Sequence, residues 1–200
     1  MKKLLMILLT VTMLAGCSAD KTSGQVSSSA KTEKVTITDN TDILSTKADM
    51  SGYKWIGSDQ ADFEETTVSE VMKMFSEKGS GILFFGYTGC KWCQRAVPEL
   101  NKVAREMDVK VYYVDASIQP DETQYNQLVG YLSDILDTDD KGQKEFFVPL
   151  VVGVKNGKIV GHHQSLVDGF NPQSDEDQLS DAQKDKLDDI YRDIILKTAD

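Results

Sequence analysis

Positive charge, cysteine and long apolar runs are all scarce in this sequence. Lys and Arg number 22 against 32 Asp and Glu, a formal net charge of -10. That balance excludes the dense cationic surface a nucleic-acid partner requires. Three cysteines in 200 residues are too few for a disulfide scaffold, and their placement, one at 17 and two at 90 and 93, assigns them to separate tasks. The two histidines, His162 and His163, are adjacent and lack the three-to-five-residue spacing of a zinc finger, so with Cys90 and Cys93 they make a poor tetrahedral set and no metal site is expected. No repeat and no second hydrophobic span follows the first apolar run. What remains, 40% hydrophobic and 27% charged residues, suits one ordinary domain with appendages.

Lys2 and Lys3 followed by the apolar run Leu4 to Leu14 have the layout of an export signal, basic then apolar and too short to span a bilayer. The run ends in Leu14-Ala15-Gly16-Cys17, which resembles the lipobox of bacterial lipoproteins. The resemblance implies cleavage before Cys17 and lipidation of Cys17, which then anchors the chain and does no redox work. A plain secretory signal with a spare cysteine is the alternative. Ser18 to about Lys34 is rich in Ser, Thr, Lys and Gly, the composition of a flexible stalk. The expected organisation is a signal peptide over 1–16, a lipidated N-terminus and linker over 17–50, and one folded domain over 51–200.

Within the folded part, Thr67-Val68-Ser69-Glu70 has capping-box spacing, and Val68, Val71, Met72 and Phe75 share a helical face, predicting a helix over about 68–78. Ile82 to Phe85 is an apolar run between turn residues, the pattern of a strand covered on both faces. Val97, Leu100, Val103, Ala104 and Met107 recur at helical spacing, and Val109 to Val114 is β-branched and aromatic, so strand, helix, strand form a parallel βαβ unit. A helix is predicted over 121–136 with Tyr125, Leu128, Leu132 and Ile135 inward, then a polar loop over 137–142. Leu150 to Val154 and Lys158 to His162 flank Asn156-Gly157, a hairpin signal. Ser180 to Lys197 closes the chain as an amphipathic helix. Val35 to Thr38 and Tyr53 to Ile56 read as short strands. The class is α/β with one central mixed sheet flanked by helices.

Cys90-Lys91-Trp92-Cys93 falls where a strand hands over to a helix. There the unpaired amides and the helix dipole favour a thiolate, making Cys90 the nucleophile, and the spacing lets Cys93 resolve a mixed disulfide. Lys91 adds a positive charge that tunes the thiolate, and Trp92 offers an apolar face to a docking polypeptide. From about residue 60 to 197 the chain resembles the thioredoxin superfamily. Pro98, five residues after Cys93, matches the proline of the active-site helix, and Val148-Pro149 before the Asn156-Gly157 hairpin matches the cis-proline loop. The resemblance implies a thioredoxin-like fold and gives Val148 and Pro149 a substrate-binding role beside the cysteines.

The sequence also departs from the family. Phe84 stands where many thioredoxins bury an acid, and Lys91-Trp92 replaces Gly-Pro between the cysteines. The Asp115 to Pro149 segment is longer than in a minimal thioredoxin by about a dozen residues, read as a helical insertion before the cis-proline and similar to bacteriocin-transport accessory proteins. The expected function is an extracytoplasmic, membrane-anchored thiol-disulfide oxidoreductase. It would need no cofactor beyond a redox-active Cys90-Cys93 disulfide and would act on exported proteins with thiols or disulfides. The missing acid and Lys91 tilt the direction toward oxidase or isomerase, whereas a reductase would need a membrane redox partner. The alternative is a secretion or binding accessory that keeps the fold without general redox catalysis. A purely structural disulfide is disfavoured because so short a loop constrains the unfolded chain little. The acidic stretch Ser174 to Asp189 reads as a solvated face.

Overall fold

Side chains alternate across a strand, and in β3 (Gly81–Gly86) both sets are buried: Ile82 and Phe84 enter one core, Leu83 and Phe85 another. A strand apolar on both faces must be covered on both. The computed structural model describes residues 33–200, so the expected signal peptide and Cys17 lie outside the described residues. In chain order the remaining elements are β1 (Ser45–Lys47), β2 (Asp62–Thr66), α1 (Val68–Ser76), α2 (Lys91–Met107), β4 (Lys110–Asp115), α3 (Glu122–Leu132), β5 (Asp137–Thr138), β6 (Lys144–Glu145), β7 (Leu150–Lys155), β8 (Lys158–Gln164) and α4 (Asp181–Thr198).

The main sheet runs β1-β2-β4-β3-β7-β8. β2, β4 and β3 are parallel; β1, β7 and β8 each pair antiparallel with a neighbour. Helices α2 and α4 pack on the face that holds Phe63, Ile82, Phe84 and Val111. Helices α1 and α3 cover the face that holds Leu83, Phe85, Val114 and Leu150. This is the mixed, doubly covered sheet implied by the thioredoxin resemblance. The β7–β8 hairpin turns at Asn156 and Gly157, both at positive φ, as its sequence predicts. A Cβ at Gly157 would meet the Phe75 carbonyl oxygen at 2.7 Å.

Several expectations change. Residues 35–50 are not a linker: Ala48 and Met50 are buried, β1 forms, and Val35 N–H donates to the Met107 carbonyl at 3.1 Å. Val35 to Thr38 and Tyr53 to Ile56 form no strand. The first alternates correctly but is tied to the end of α2 and to Asp200 rather than to a neighbouring strand. The second is a turn, with Tyr53 buried. Strand β2, absent from the sequence reading, pairs in parallel with β4. The predicted helix over 121–136 ends at Leu132, and it buries Leu128 and Leu132 but leaves Tyr125 exposed. It is the one helix between β4 and Pro149, and the residues read as a polar loop belong to the hairpin β5–β6. The expected helical insertion is therefore this hairpin following a crossover helix. At α1 the Thr67 side chain caps Glu70 N–H, but the Glu70 carboxylate accepts from Leu44 N–H at 2.9 Å, so the capping box is half formed.

Candidate functional site

Residues 87–89 carry the chain from β3 into α2 and leave Cys90 as the N-cap, with extended φ -82° and ψ 117°. Its Sγ takes the place of a capping oxygen: the Cys93 N–H donates to it at 3.1 Å. Cys90 and Cys93 form a disulfide with Cα atoms 5.1 Å apart. Their exposure differs, since Cys90 retains 6% and Cys93 none, so Cys90 is the sulfur an approaching group reaches first. Pro98 lies inside α2 without ending it.

The other predicted site residues divide. Val148 and Pro149, joined by a cis peptide bond, are brought to the cysteines: the Val148 carbonyl oxygen is 3.8 Å from Cys90 Sγ. Pro149 is buried, Val148 half-buried, and Trp92 sits on the surface at 38% exposure. Lys91 is also exposed, and its Nζ pairs with Asp175 Oδ1 at 3.1 Å. The field it sends to the sulfurs is therefore that of an ion pair and not of a lone cation. His162 is exposed and His163 packs edge-on against Tyr191; burial lowers the pKa of both. Among the described residues no group of three or more His, Cys, Asp or Glu side chains could hold a metal ion.

Phe84 occupies the position of the family's buried acid and is fully buried, stacked on Tyr113 and edge-on to Tyr53. Burial, then the hydrogen bond with Tyr113, pushes the Tyr53 hydroxyl far above its ordinary range; Tyr113, raised mainly by burial, lies at about 12. Both stay protonated at neutral pH.

Two features escaped the sequence reading. Arg95, on the second turn of α2, is buried and stacked 4.8 Å over Trp55. Its guanidinium donates to the carbonyls of Lys91 (2.8 Å), Asp177 (2.9 Å) and Ser174 (3.0 Å). Together with Lys91–Asp175 and the Lys54–Glu176 ion pair, it straps the acidic 174–177 segment, read as a solvated face, against the start of α2. Nothing local in the sequence marks Arg95 as buried, because the groups that cover it, Trp55 and the Ser174 and Asp177 carbonyls, lie forty to about eighty residues away. The second feature is segment 50–54: Gln94 holds it through Gly52 O (2.9 Å) and Lys54 N–H (2.7 Å). A Cβ at Gly52 would strike the Thr88 side chain at 2.6 Å, so any larger residue there would push Thr88 aside in the loop that leads to Cys90.

The family model described as TraF, F plasmid transfer operon protein, matches residues 29–131. That is just over half the chain, and the matched part includes the cysteine pair but ends before Pro149. Among solved structures the chain is similar to thioredoxin from Aeropyrum pernix, with 22% identity, 49% of this chain and 71% of that chain covered, and a TM-score of 0.34. It is also similar to chloroplastic thioredoxin z, with 18% identity, coverage of 68% and 96%, and a TM-score of 0.38. No curated protein matches the sequence. The likenesses to solved structures are distant, and the strand order and the family match carry the assignment. With a Cys-x-x-Cys disulfide at the head of α2 in a thioredoxin-like sheet, the site is of redox type, and the chain belongs to the TraF family within the thioredoxin superfamily.

Proposed function

We propose that the protein is a thiol-disulfide oxidoreductase acting on polypeptide substrates, with Cys90 as nucleophile and Cys93 as resolving thiol. The observation that carries this reading is the Cys93 N–H aimed at Cys90 Sγ at the start of a seventeen-residue helix, with Cys93 fully buried. In the reduced form that amide and the helix dipole favour the Cys90 thiolate.

In the oxidising direction, a substrate thiolate attacks Cys90 Sγ. The Cys90–Cys93 bond breaks and Cys93 leaves as a thiolate that takes up a proton. A second substrate thiolate then attacks the substrate sulfur of the mixed disulfide, yielding a substrate disulfide and the Cys90 thiolate. Two electrons pass from substrate to protein. Reduction is the same sequence reversed. Val148 and Pro149 would line the substrate backbone beside the sulfur, and Trp92 would cover the entering chain. Stabilisation of the reduced thiolate supports the oxidase or isomerase direction.

The sequence before residue 33 supports export and lipid anchoring at Cys17, which would set the domain on the extracytoplasmic face among exported thiol proteins. Among the described residues no helix is long and apolar enough to cross a membrane. The mass of the mature N-terminus tests the anchor, with a diacylated Cys17 expected.

Replacing Cys90 by Ser is expected to bring insulin reduction and oxidative refolding of a reduced substrate to background. Unchanged activity in both would instead favour a secretion or binding accessory. Equilibration with glutathione buffers assigns direction: a potential near -270 mV, about that of cytosolic thioredoxin, would overturn the oxidising reading.

A further inference from the structure

This inference rests on Cys90 being the sulfur that meets substrate. Beside the cysteine pair, on the α1–α3 face of the sheet, lies an apolar cavity of about 560 Å³ lined by Phe85, Tyr87, Ile118, Tyr125, Phe146 and Val148. Val148 belongs to both places, since it lines the cavity while its carbonyl oxygen is 3.8 Å from Cys90 Sγ. The rim keeps large apolar side chains in water: Ile118 is 65% exposed and Tyr125 38%. Exposed apolar surface gathered around a cavity marks a place where another molecule docks.

Shape and charge identify the occupant. A second cavity of about 710 Å³ shares Val114, Ile118 and Pro120 with the first and continues to the exposed Leu44, so the site is a long groove. Among the described residues, Glu65, Asp115, Asp121 and Glu122 line it, and no Lys or Arg does. A fatty acid or an anionic lipid would set its negative head against these carboxylates. An extended polypeptide places alternate side chains in and out of such a groove, and one that is apolar and basic matches both the lining and the charge. We propose that the groove selects polypeptide substrates whose reactive cysteine is flanked by large apolar and basic residues, the apolar side chain entering beside Val148.

The full chain carrying Cys93→Ser stops at the mixed disulfide and gives a direct readout. Three peptides, each activated as a disulfide with a small thiol, differ only in the residues beside cysteine: Phe with Arg, Phe with Asp, and Gly with Ser. The Phe-Arg peptide is expected to couple to Cys90 about tenfold faster than the Gly-Ser peptide, with the Phe-Asp peptide between them. Ile118→Ser and Tyr125→Ser remove exposed side chains only; each is expected to bring the ratio toward unity while the rate with a small aromatic disulfide reagent stays unchanged. Equal rates for all three peptides, or a preference that survives both substitutions, overturns the groove. Equal rates for Phe-Arg and Phe-Asp overturn its charge selection. If the small reagent couples to Cys90 and no peptide does, the polypeptide-substrate reading itself fails, and the inference with it.

Discussion

Arg95 and Glu99 stand four residues apart on α2, the spacing of a helical ion pair, yet each is engaged elsewhere and the two are finished differently. Arg95 is buried with its guanidinium donating to three carbonyls, and at the head of the same helix Cys90 Sγ accepts an amide. Glu99, also buried, faces Asp188 on α4. There the Tyr191 hydroxyl is buried without a hydrogen-bond partner, Lys102 donates to Asp188 Oδ2 at 2.5 Å, and the Glu99 carboxyl, when protonated, donates to Asp188. Burial, then repulsion from Asp188, outweighs Lys184 and Lys102 and raises the Glu99 pKa; burial raises Asp188 as well. One turn of helix thus separates a shell that keeps a charge from one that suppresses it. Burial alone decides neither; the partners do.

The largest effect should come from opening the completed shell. Arg95→Met leaves the Ser174 and Asp177 carbonyls without their donor and releases segment 174–177 from α2; a loss of about 3 kcal/mol is expected in urea unfolding. A loss below about 0.5 kcal/mol would mean that the segment holds itself and that the guanidinium is incidental.

The carboxyl pair should show itself through pH. Glu99 is raised from 4.5 to about 7, so its contribution is complete below pH 4.5 and is lost as pH climbs through 7. Asp188, raised too, acts in the same sense. Glu99→Gln is expected to flatten the decline of the urea midpoint between pH 5 and 8 and to leave the variant more stable than the parent at pH 8. Equal slopes for parent and variant would show that Glu99 is already ionised at pH 5, erasing the contrast with Arg95.

The smallest effect belongs to Lys91. Because Asp175 already compensates its charge and both side chains are exposed, Lys91→Ala should move the thiolate titration of Cys90, followed by ultraviolet absorbance, by no more than about 0.3 pH unit. A full unit would restore Lys91 as the tuning charge that the sequence suggests.

What could be read beforehand follows from where the determining partners lie. Strands β3, β4, β7 and β8 and helices α1, α2 and α4 announce themselves because their burial is periodic along the local sequence. β2 does not: Asp62-Phe63-Glu64-Glu65-Thr66 holds one large apolar residue, and the chain is extended there because β1 and β4 flank it. Val35 to Thr38 fails in the opposite way, alternating like a strand with no strand beside it. At the site, the cysteine spacing was legible and the position of Pro149 followed from family resemblance. Arg95, Gln94 and the groove under α3 are assembled from distant segments and leave no mark in any window of the sequence.

The bond from Val35 to Met107, and that from Asp200 N–H to the Thr36 carbonyl at 3.0 Å, bring both termini of the domain to the tail of α2. The cysteines sit at the head of the same helix, about 25 Å away at 1.5 Å per residue over seventeen residues. Chain ends and cysteine pair thus occupy opposite poles of one helix, so a label attached at residue 34 or at residue 200 sits a full helix length from Cys90 and leaves its surroundings untouched.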